Sequence, residues 1–152
     1  MNILLSIKPK WAKKIYSGEK TIEFRKSIPK KFDTSEDVVF IYETAPVKMV
    51  TGYIRIGAFC RINPTYLNAM KKYNLFSKRY FEKEGKVNID DLIKYANNKN
   101  LCYWNIKSSY KWNYETIDRF SPTEKAPQSW CYTRAKICGA GLQFDHKLKG
   151  LL

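Results

Sequence analysis

Strand-like segments dominate the first part of this chain, and their order restricts its fold more than any other feature. A short apolar run at residues 3–7 precedes one helical segment, after which residues 20–27, 37–45 and 50–62 are all strand-like. A doubly wound parallel sheet needs a helix between successive strands, and this order does not supply one. Gly52 and Gly57 interrupt the last of these segments, which indicates bulges that let a sheet curl. We therefore predict an α+β fold in which a small mixed β-barrel is flanked by helices.

The middle of the chain changes from strand-like to helical patterning. Tyr66, Leu67, Met70 and Tyr73 recur at helical spacing, and Asn88 is placed to cap another helix. Strand-like aromatic residues return over 101–117, with a predicted hairpin turn at 107–109, and a proline-containing loop then leads into a last strand. The length of 152 residues suits one compact domain. We predict a single domain over residues 1–152 with a helical insertion around residues 64–100.

The chain is strongly basic, with 28 Lys and Arg residues against 14 Asp and Glu residues and a net charge of +14. A field of this size attracts polyanions, of which nucleic acid is the most abundant in a cell. Residues 1–31 carry nine basic and two acidic residues, a local charge of +7, and a second basic block lies at residues 71–86. The alternative explanation is a lysine-rich surface that serves solubility or reflects genome composition. The charge favours a nucleic-acid partner over that alternative.

Several classes of protein are not favoured by the sequence. The apolar runs are too short for a transmembrane helix and the N-terminal residues lack the pattern of a signal peptide, so we expect a cytoplasmic protein without a membrane partner. The four cysteines form no CxxC pair, and His146 is the single histidine. Motifs for nucleotide cofactors, zinc proteases and serine hydrolases are missing. We predict no metal and no cofactor.

The segment SGEKTIEFRK, residues 17–26, alternates charged and apolar side chains. On a strand, Ile22 and Phe24 point to one face, while Thr21, Glu23 and Arg25 point to the other. Glu23 and Arg25 can therefore form an ion pair, which on an open surface contributes only ~0–1 kcal/mol. In a cleft the same side chains can bind a ligand, because a guanidinium offers planar donors to a phosphate or to a base edge.

The stretch GEKTIEFR resembles the ASCH family, a branch of the PUA-like superfamily, which is recognised by a GxKxxExR pattern after its first helix. Gly18, Lys20, Glu23 and Arg25 match all four positions of that pattern. The preceding LLSIKPKWAKKIYSG and the later APQSWCYT are also similar to segments of that family. The resemblance covers residues 3–27 well and residues 38–62 moderately, and it is weak over 64–100. It implies a PUA-like β-barrel with a cleft lined by the motif, and RNA, another nucleic acid or a nucleobase-like ligand as partner.

A set of polar and aromatic residues is predicted to bind the nucleic acid in this cleft. Trp130 follows two polar residues that can read a base edge, so it is the best stacking candidate. The predicted nucleic-acid-binding residues are Lys8, Lys20, Thr21, Glu23, Arg25, Gln128, Ser129 and Trp130.

Two alternatives remain open at this point. Some family members are amidohydrolases that act on N4-acetylcytidine and some are reported as ribonucleases, so the cleft can also be an active site, with Lys20, Glu23 and Glu43 as catalytic residues. In the amidohydrolases a catalytic threonine stands at the position of Glu23, and this chain departs from them there. The other alternative is a protein-interaction module, whose anchors in the insertion would be Tyr73, Leu75, Phe76, Tyr80 and Phe81.

Overall fold

A computed structural model describes residues 1–138 and 141–143 of the chain. Strands and helices alternate irregularly along it. In chain order they are β1 (Ile3–Ile7), α1 (Pro9–Tyr16), β2 (Ile22–Arg25), β3 (Val39–Glu43), β4 (Met49–Ile62), α2 (Pro64–Lys72), α3 (Phe76–Gly85), α4 (Ile89–Ala96), β5 (Leu101–Glu115), a 3-10 turn (Ile117–Arg119), β6 (Trp130–Tyr132), β7 (Lys136–Cys138) and β8 (Gly141–Gln143).

Six of the strands form one mixed sheet in the order β2-β5-β4-β3-β1-β6, and β7 and β8 form a separate two-stranded antiparallel sheet. Strands β1 and β3 are parallel, and every other neighbouring pair in the sheet is antiparallel. The parallel pairing brings the carboxyl ends of β1 and β3 together, with Ile7 opposite Glu43. The segment that enters β6 reaches the same end, because the Ser6 amide donates to the Ser129 carbonyl oxygen at 3.0 Å.

The sheet curls until its two edge strands meet. Arg25, at the end of edge strand β2, donates from Nη2 to the Ser6 carbonyl oxygen at 2.8 Å and from Nη1 to Ser129 Oγ at 3.2 Å. The indole of Trp130, in the opposite edge strand β6, donates to Ser27 Oγ at 3.0 Å. Side chains thus close the gap that backbone pairing leaves open. The predicted α+β architecture, a curled mixed sheet flanked by helices, is confirmed.

The two faces of β2 pack against different parts of the protein. Ile22 and Phe24 are buried against the helices α2, α3 and α4. Glu23 lies opposite Trp104, which belongs to the apolar cluster inside the curl. The alternation that the sequence predicted therefore separates an outer apolar face under the helices from an inner polar face. The predicted helical region at 64–100 is confirmed as these three helices, while its standing as an insertion into a single domain stays a prediction.

The predicted hairpin turn at 107–109 is wrong, since β5 runs without a break from Leu101 to Glu115. Its partner register shifts between Arg55, which pairs with Ser108, and Ile56, which pairs with Ile106. Lys107 is the extra residue at this shift, and it is exposed. The polar residues that suggested a turn mark a β-bulge instead, because a bulge also leaves one residue out of the ladder. Within the described ranges no helix is long and apolar enough to cross a bilayer.

Candidate functional site

Lys20 is the most deeply buried charged residue of the sequence motif, with 5% of its surface exposed. Its Nζ donates to the carbonyl oxygens of Ile22 at 2.5 Å and Gly85 at 2.7 Å, and it lies 3.4 Å from Glu23 Oε2. These three acceptors match the three N–H donors of an ammonium group. Burial lowers the pKa of Lys20, and the Glu23 carboxylate opposes that shift. Since all three N–H donors are used, the main role of Lys20 is structural: it connects the motif to the end of α3 by hydrogen bonds.

The last residue of α3 approaches the motif closely because it is a glycine. A Cβ at Gly85 would overlap the ring of Phe24, which is buried on the outer face of β2. Thr21 makes two further contacts with this helix end: its amide donates to the Glu84 carbonyl oxygen at 2.8 Å, and its Oγ1 donates to Glu84 Oε2 at 2.5 Å. The motif is therefore held to α3 on one side.

Arg25 holds the motif to the opposite side of the curl. Its Nε donates to Glu23 Oε1 at 3.0 Å, and its two other nitrogens reach Ser6 and Ser129 as described above. These bonds account for three of the five N–H groups of a guanidinium. Its side chain is 13% exposed. Arg25 is thus oriented by three contacts and keeps two N–H groups for a ligand, as far as the described part of the chain shows.

We use the name strand-end site for the polar residues where β1 and β3 end and β6 begins: Lys8, Arg25, Glu43, Gln128 and Ser129. Lys8 and Gln128 are exposed, Ser129 is half-buried and Glu43 is 8% exposed. The Thr44 amide donates to the Ile7 carbonyl oxygen at 2.9 Å, which joins the two strand ends beside Lys8. The site contains two cations and one carboxylate, so its charge favours an anionic ligand.

Glu43 is the carboxylate of this site that no cation neutralises within the described ranges. It follows Val39 and Ile41 on the face of β3 that lines the inner apolar cluster. The hydroxyl of Tyr16 lies near it and shares a hydrogen bond of 2.8 Å with Thr51 Oγ1. Burial raises the pKa of Tyr16 above its ordinary range, and the negative charge of Glu43 adds to this effect. Glu43 can accept a hydrogen bond or a proton from a ligand.

The structure does not bring all predicted site residues together. Lys20 and Thr21 bind the end of α3, and their side chains make no contact with Lys8, Gln128 or Ser129 among the described residues. Trp130 is half-buried and packs edge-on against Trp104 and Tyr132, with ring centroids 6.3 and 5.4 Å away.

Sequence reasoning missed Ser6, Gly85 and Tyr16 as partners of the motif and of Glu43. Two of the three act through backbone carbonyl groups, which leave no signal in residue identity.

A cavity of about 570 Å³ lies at the other end of the sheet, where β1 and β3 begin. Its lining includes Asn2, Val38, Arg55, Arg134 and Lys136, and none of the predicted site residues. Among the described residues no group of His, Cys, Asp and Glu is arranged to hold a metal ion. Cys60, Cys102 and Cys131 carry free thiols, and His146 lies outside the described residues.

These features define a class of protein: a helix-flanked, curled mixed sheet whose GxKxxExR motif forms a buried ion network beside a polar site at the strand ends. Residues 5–122 match the family model described as the ASCH domain, more than three-quarters of the chain. The chain belongs to the ASCH domain family.

One relative is an ASCH domain-containing ribonuclease of Zymomonas mobilis subsp. mobilis, 42% identical over 55 residues. The alignment covers 36% of this chain and 36% of that relative, so the chain is matched to about a third of the relative's length.

Crystal structures of the ASCH protein from Zymomonas mobilis have the same fold. The structure of a serine-to-alanine variant aligns with a TM-score of 0.66 at 23% identity, over 88% of each chain. The structure without a stated substitution aligns with a TM-score of 0.63 at 23% identity, over 88% of this chain and 87% of that one. At this identity the likeness concerns the fold.

Proposed function

We propose that this protein is an RNA-binding ASCH domain and that the strand-end site receives an unpaired nucleotide. The observation that carries the proposal is the state of Arg25: three contacts orient its guanidinium at the closure of the sheet, and two N–H groups are left for a ligand. A pre-oriented guanidinium suits a phosphate or the acceptor edge of a base, because it loses little entropy on binding. The net charge of +14 supports a polyanionic partner.

Each residue of the strand-end site has a proposed role. Lys8 is exposed beside the strand ends and contacts a phosphate. Gln128 and Ser129 supply neutral donors and acceptors for a base, and Glu43 accepts from an exocyclic amine. Lys20 and Glu23 act as positioning residues, since they hold Arg25 and do not contact the ligand.

The proposal is tested by fluorescence anisotropy with labelled single-stranded RNA over a series of salt concentrations. If about five phosphates are neutralised, the slope of log K against log salt is near −3.5, as expected for a single strand. We expect Lys8→Ala to flatten that slope by about 0.7, the contribution of one phosphate contact. Arg25→Lys should weaken binding more, because lysine cannot reproduce the planar donors. If the wild-type protein binds no RNA at low salt, the proposal is refuted.

A second candidate function is RNA cleavage at the same site, and the relative named as a ribonuclease favours it. In this proposal Glu43 is the general base: it takes the proton of the RNA 2′-hydroxyl group, whose oxygen attacks the adjacent phosphorus, while Arg25 stabilises the charge that develops on the phosphate. The bond between phosphorus and the 5′-oxygen breaks, and the 5′-oxygen leaves with a proton from water, so that a 2′,3′-cyclic phosphate remains. Glu23 stands where the amidohydrolases carry threonine, and it is held between Lys20 and Arg25. We therefore propose RNA cleavage, not nucleoside deacetylation, as the enzymatic alternative.

Cleavage and binding are separated by one pair of measurements. Labelled RNA is incubated with the wild-type protein and with Glu43→Gln, and the products are resolved on a denaturing gel while binding is measured in parallel. If the protein is a ribonuclease, Glu43→Gln should lower the rate by a factor of about 100 or more and leave the affinity within a few-fold. Binding of RNA without any products in the wild type would leave binding as the function.

A further inference from the structure

Four aromatic side chains in α2, α3 and the turn between them are exposed to solvent. Phe76 is 84% exposed, Tyr73 65%, Tyr66 44% and Tyr80 42%. Isolated exposed aromatic residues are ordinary, but a group within fifteen positions of sequence forms a patch of the kind that marks a binding surface. We call these four residues, with the basic residues of 71–83, the aromatic–basic surface.

Contacts within the described residues place the two helices that carry these rings side by side. The Tyr66 hydroxyl donates to Ser77 Oγ at 2.9 Å, which places α2 beside the first turn of α3. A hydrogen bond with Cys60, burial and the nearby hydroxyls of Tyr80 and Tyr66 raise the pKa of Tyr103 to about 12. Tyr66 and Tyr80 therefore both lie near Tyr103 of β5, although they belong to different helices.

The aromatic residues of α3 lie on two different sides of the helix, one facing the sheet and one facing solvent. Phe81 is buried and Gly85 contacts the Phe24 ring, so positions four apart face the sheet. Phe76 and Tyr80 are also four apart, Lys83 follows at three, and all three are exposed. Helical spacing places them on one solvent-facing stripe. This stripe has no apolar element over it in the part of the chain that the structure describes.

Basic residues surround the exposed rings. Residues 64–86 hold six basic and two acidic residues, a charge of +4. Two of the cations form ion pairs, Lys71 with Asp90 and Lys78 with Glu82. Four others have no ion pair among the described residues: Lys72, Arg79, Lys83 and Lys86. The Lys72 ammonium lies 5.2 Å from the centroid of the Tyr73 ring. Proteins bind single-stranded nucleic acid through surfaces of this kind, because the bases stack on the aromatic rings and the phosphates contact the cations.

We propose that the aromatic–basic surface is a second binding site for single-stranded RNA, separate from the strand-end site. Phe76 and Tyr73 stack on unpaired bases, and Lys72, Arg79 and Lys83 neutralise phosphates. A protein partner would be expected at a less basic surface, since clustered unpaired cations oppose burial in an apolar interface. This inference takes RNA as the partner from the proposed function, but its residues are different from those of the strand-end site.

Helix α3 runs from the aromatic–basic surface to the motif that holds Arg25. Its ten residues span about 15 Å, from Phe76 at one end to Gly85 at the other, where Lys20 binds the helix carbonyl. An RNA strand that follows α3 as far as Gly85 therefore approaches the motif residues that position Arg25 of the strand-end site. The aromatic–basic surface should add affinity for longer RNA and little for a mononucleotide.

The test measures the affinity of the full chain for an unstructured RNA of about 12 nucleotides, within the usual range of ~4–16 for single-strand sites. We expect Phe76→Ala and Tyr73→Ala each to raise Kd by roughly 5- to 150-fold, the range observed for loss of one stacked base. Phe76→Trp keeps a stacking ring and should bind within about threefold of the wild type. The matched control is Tyr114→Ala, which removes a ring that is 59% exposed on β5, and it should leave Kd unchanged.

Each outcome bears on one of the two proposals. Weaker binding in both alanine variants together with wild-type binding in Phe76→Trp and Tyr114→Ala supports the second site. If the alanine variants bind RNA like the wild type while Arg25→Lys is impaired, the second site is refuted and the strand-end site stands. Equal losses in Phe76→Ala and Phe76→Trp would also refute it, because they would show that stacking is not the cause. No RNA binding by the wild-type protein would refute both proposals.

Discussion

Glu23 stands between two buried cations, and replacing it tests the ion network directly. The carboxylate lies 3.4 Å from Lys20 Nζ and 3.0 Å from Arg25 Nε. Glu23→Gln preserves the size of the side chain and one acceptor oxygen but removes the negative charge. Lys20 and Arg25 would then face each other with side chains only 5% and 13% exposed, without a counter-charge between them.

The size of the effect follows from this burial. Removing one partner of a buried ion pair costs about 3–5 kcal/mol, because the remaining charge is left without compensation. The two carbonyl oxygens that Lys20 retains put this case at the lower end, near 3 kcal/mol. For a chain of this length, a loss of that size lowers Tm by roughly 6–12 °C.

Urea unfolding followed by tryptophan fluorescence measures this loss, and thermal unfolding gives Tm independently. The matched control is Glu115→Gln, which breaks an ion pair with Arg119 whose side chains are 32% and 53% exposed. That exposed pair is expected to contribute less than about 1 kcal/mol. The same substitution chemistry therefore separates a buried network from a solvated ion pair.

A double-mutant cycle makes the interpretation stricter. In the Glu23→Gln background, Lys20→Met should cost at least about 1 kcal/mol less than in the wild type, because the unpaired charge is removed with the lysine. Glu23→Gln as stable as Glu115→Gln, or strictly additive effects in the cycle, would show that the network is solvated in solution. The account of Lys20 and Glu23 as positioning residues would then fail.

Two further predictions concern the packing of β4 and α1. A Cβ at Gly52 would lie 2.6 Å from the Tyr16 hydroxyl and overlap a carbonyl of β5, so Gly52→Ala should lower the free energy of unfolding by about 1–3 kcal/mol. In the control variant Gly57→Ala, the new Cβ meets only atoms 3.9 Å away, so the free energy of unfolding should stay within about 0.5 kcal/mol of the wild type. Equal effects of the two substitutions in urea unfolding would contradict the structure. Burial raises the pKa of Tyr16, so the folded state keeps a proton that the unfolded state releases above about pH 10, and stability falls as pH rises through that range. At neutral pH, Tyr16→Phe should be less stable than the wild type by about 1 kcal/mol, because it loses the hydrogen bond to Thr51. This difference in stability should shrink above about pH 10. A difference that is constant with pH in unfolding titrations would show that Tyr16 ionises normally.

Local patterns predicted the elements of this fold well where the physical cause is local. The alternation at residues 20–27 predicted the two faces of β2, because side chains alternate along any strand. Asn88 was expected to cap a helix, and its side chain accepts from the Asp91 amide at 2.8 Å. The polar residues 107–109 led to the wrong prediction of a hairpin turn. A bulge and a turn both place polar residues at a break in strand pairing, and only the pairing with the neighbouring strand distinguishes the two.

The sequence by itself determined that Lys20, Glu23 and Arg25 belong to one motif, that β2 has a charged face, and that the chain attracts polyanions. Only the tertiary structure decided what those charges do. The third acceptor of Lys20 is the carbonyl of Gly85, 65 positions away, and Arg25 reaches Ser129, 104 positions away. Backbone carbonyl groups are the same in every residue, so no sequence pattern marks the ones that a buried cation will use. Burial is likewise set by which elements meet, and it is burial that turns an ordinary surface ion pair into the network that closes this sheet.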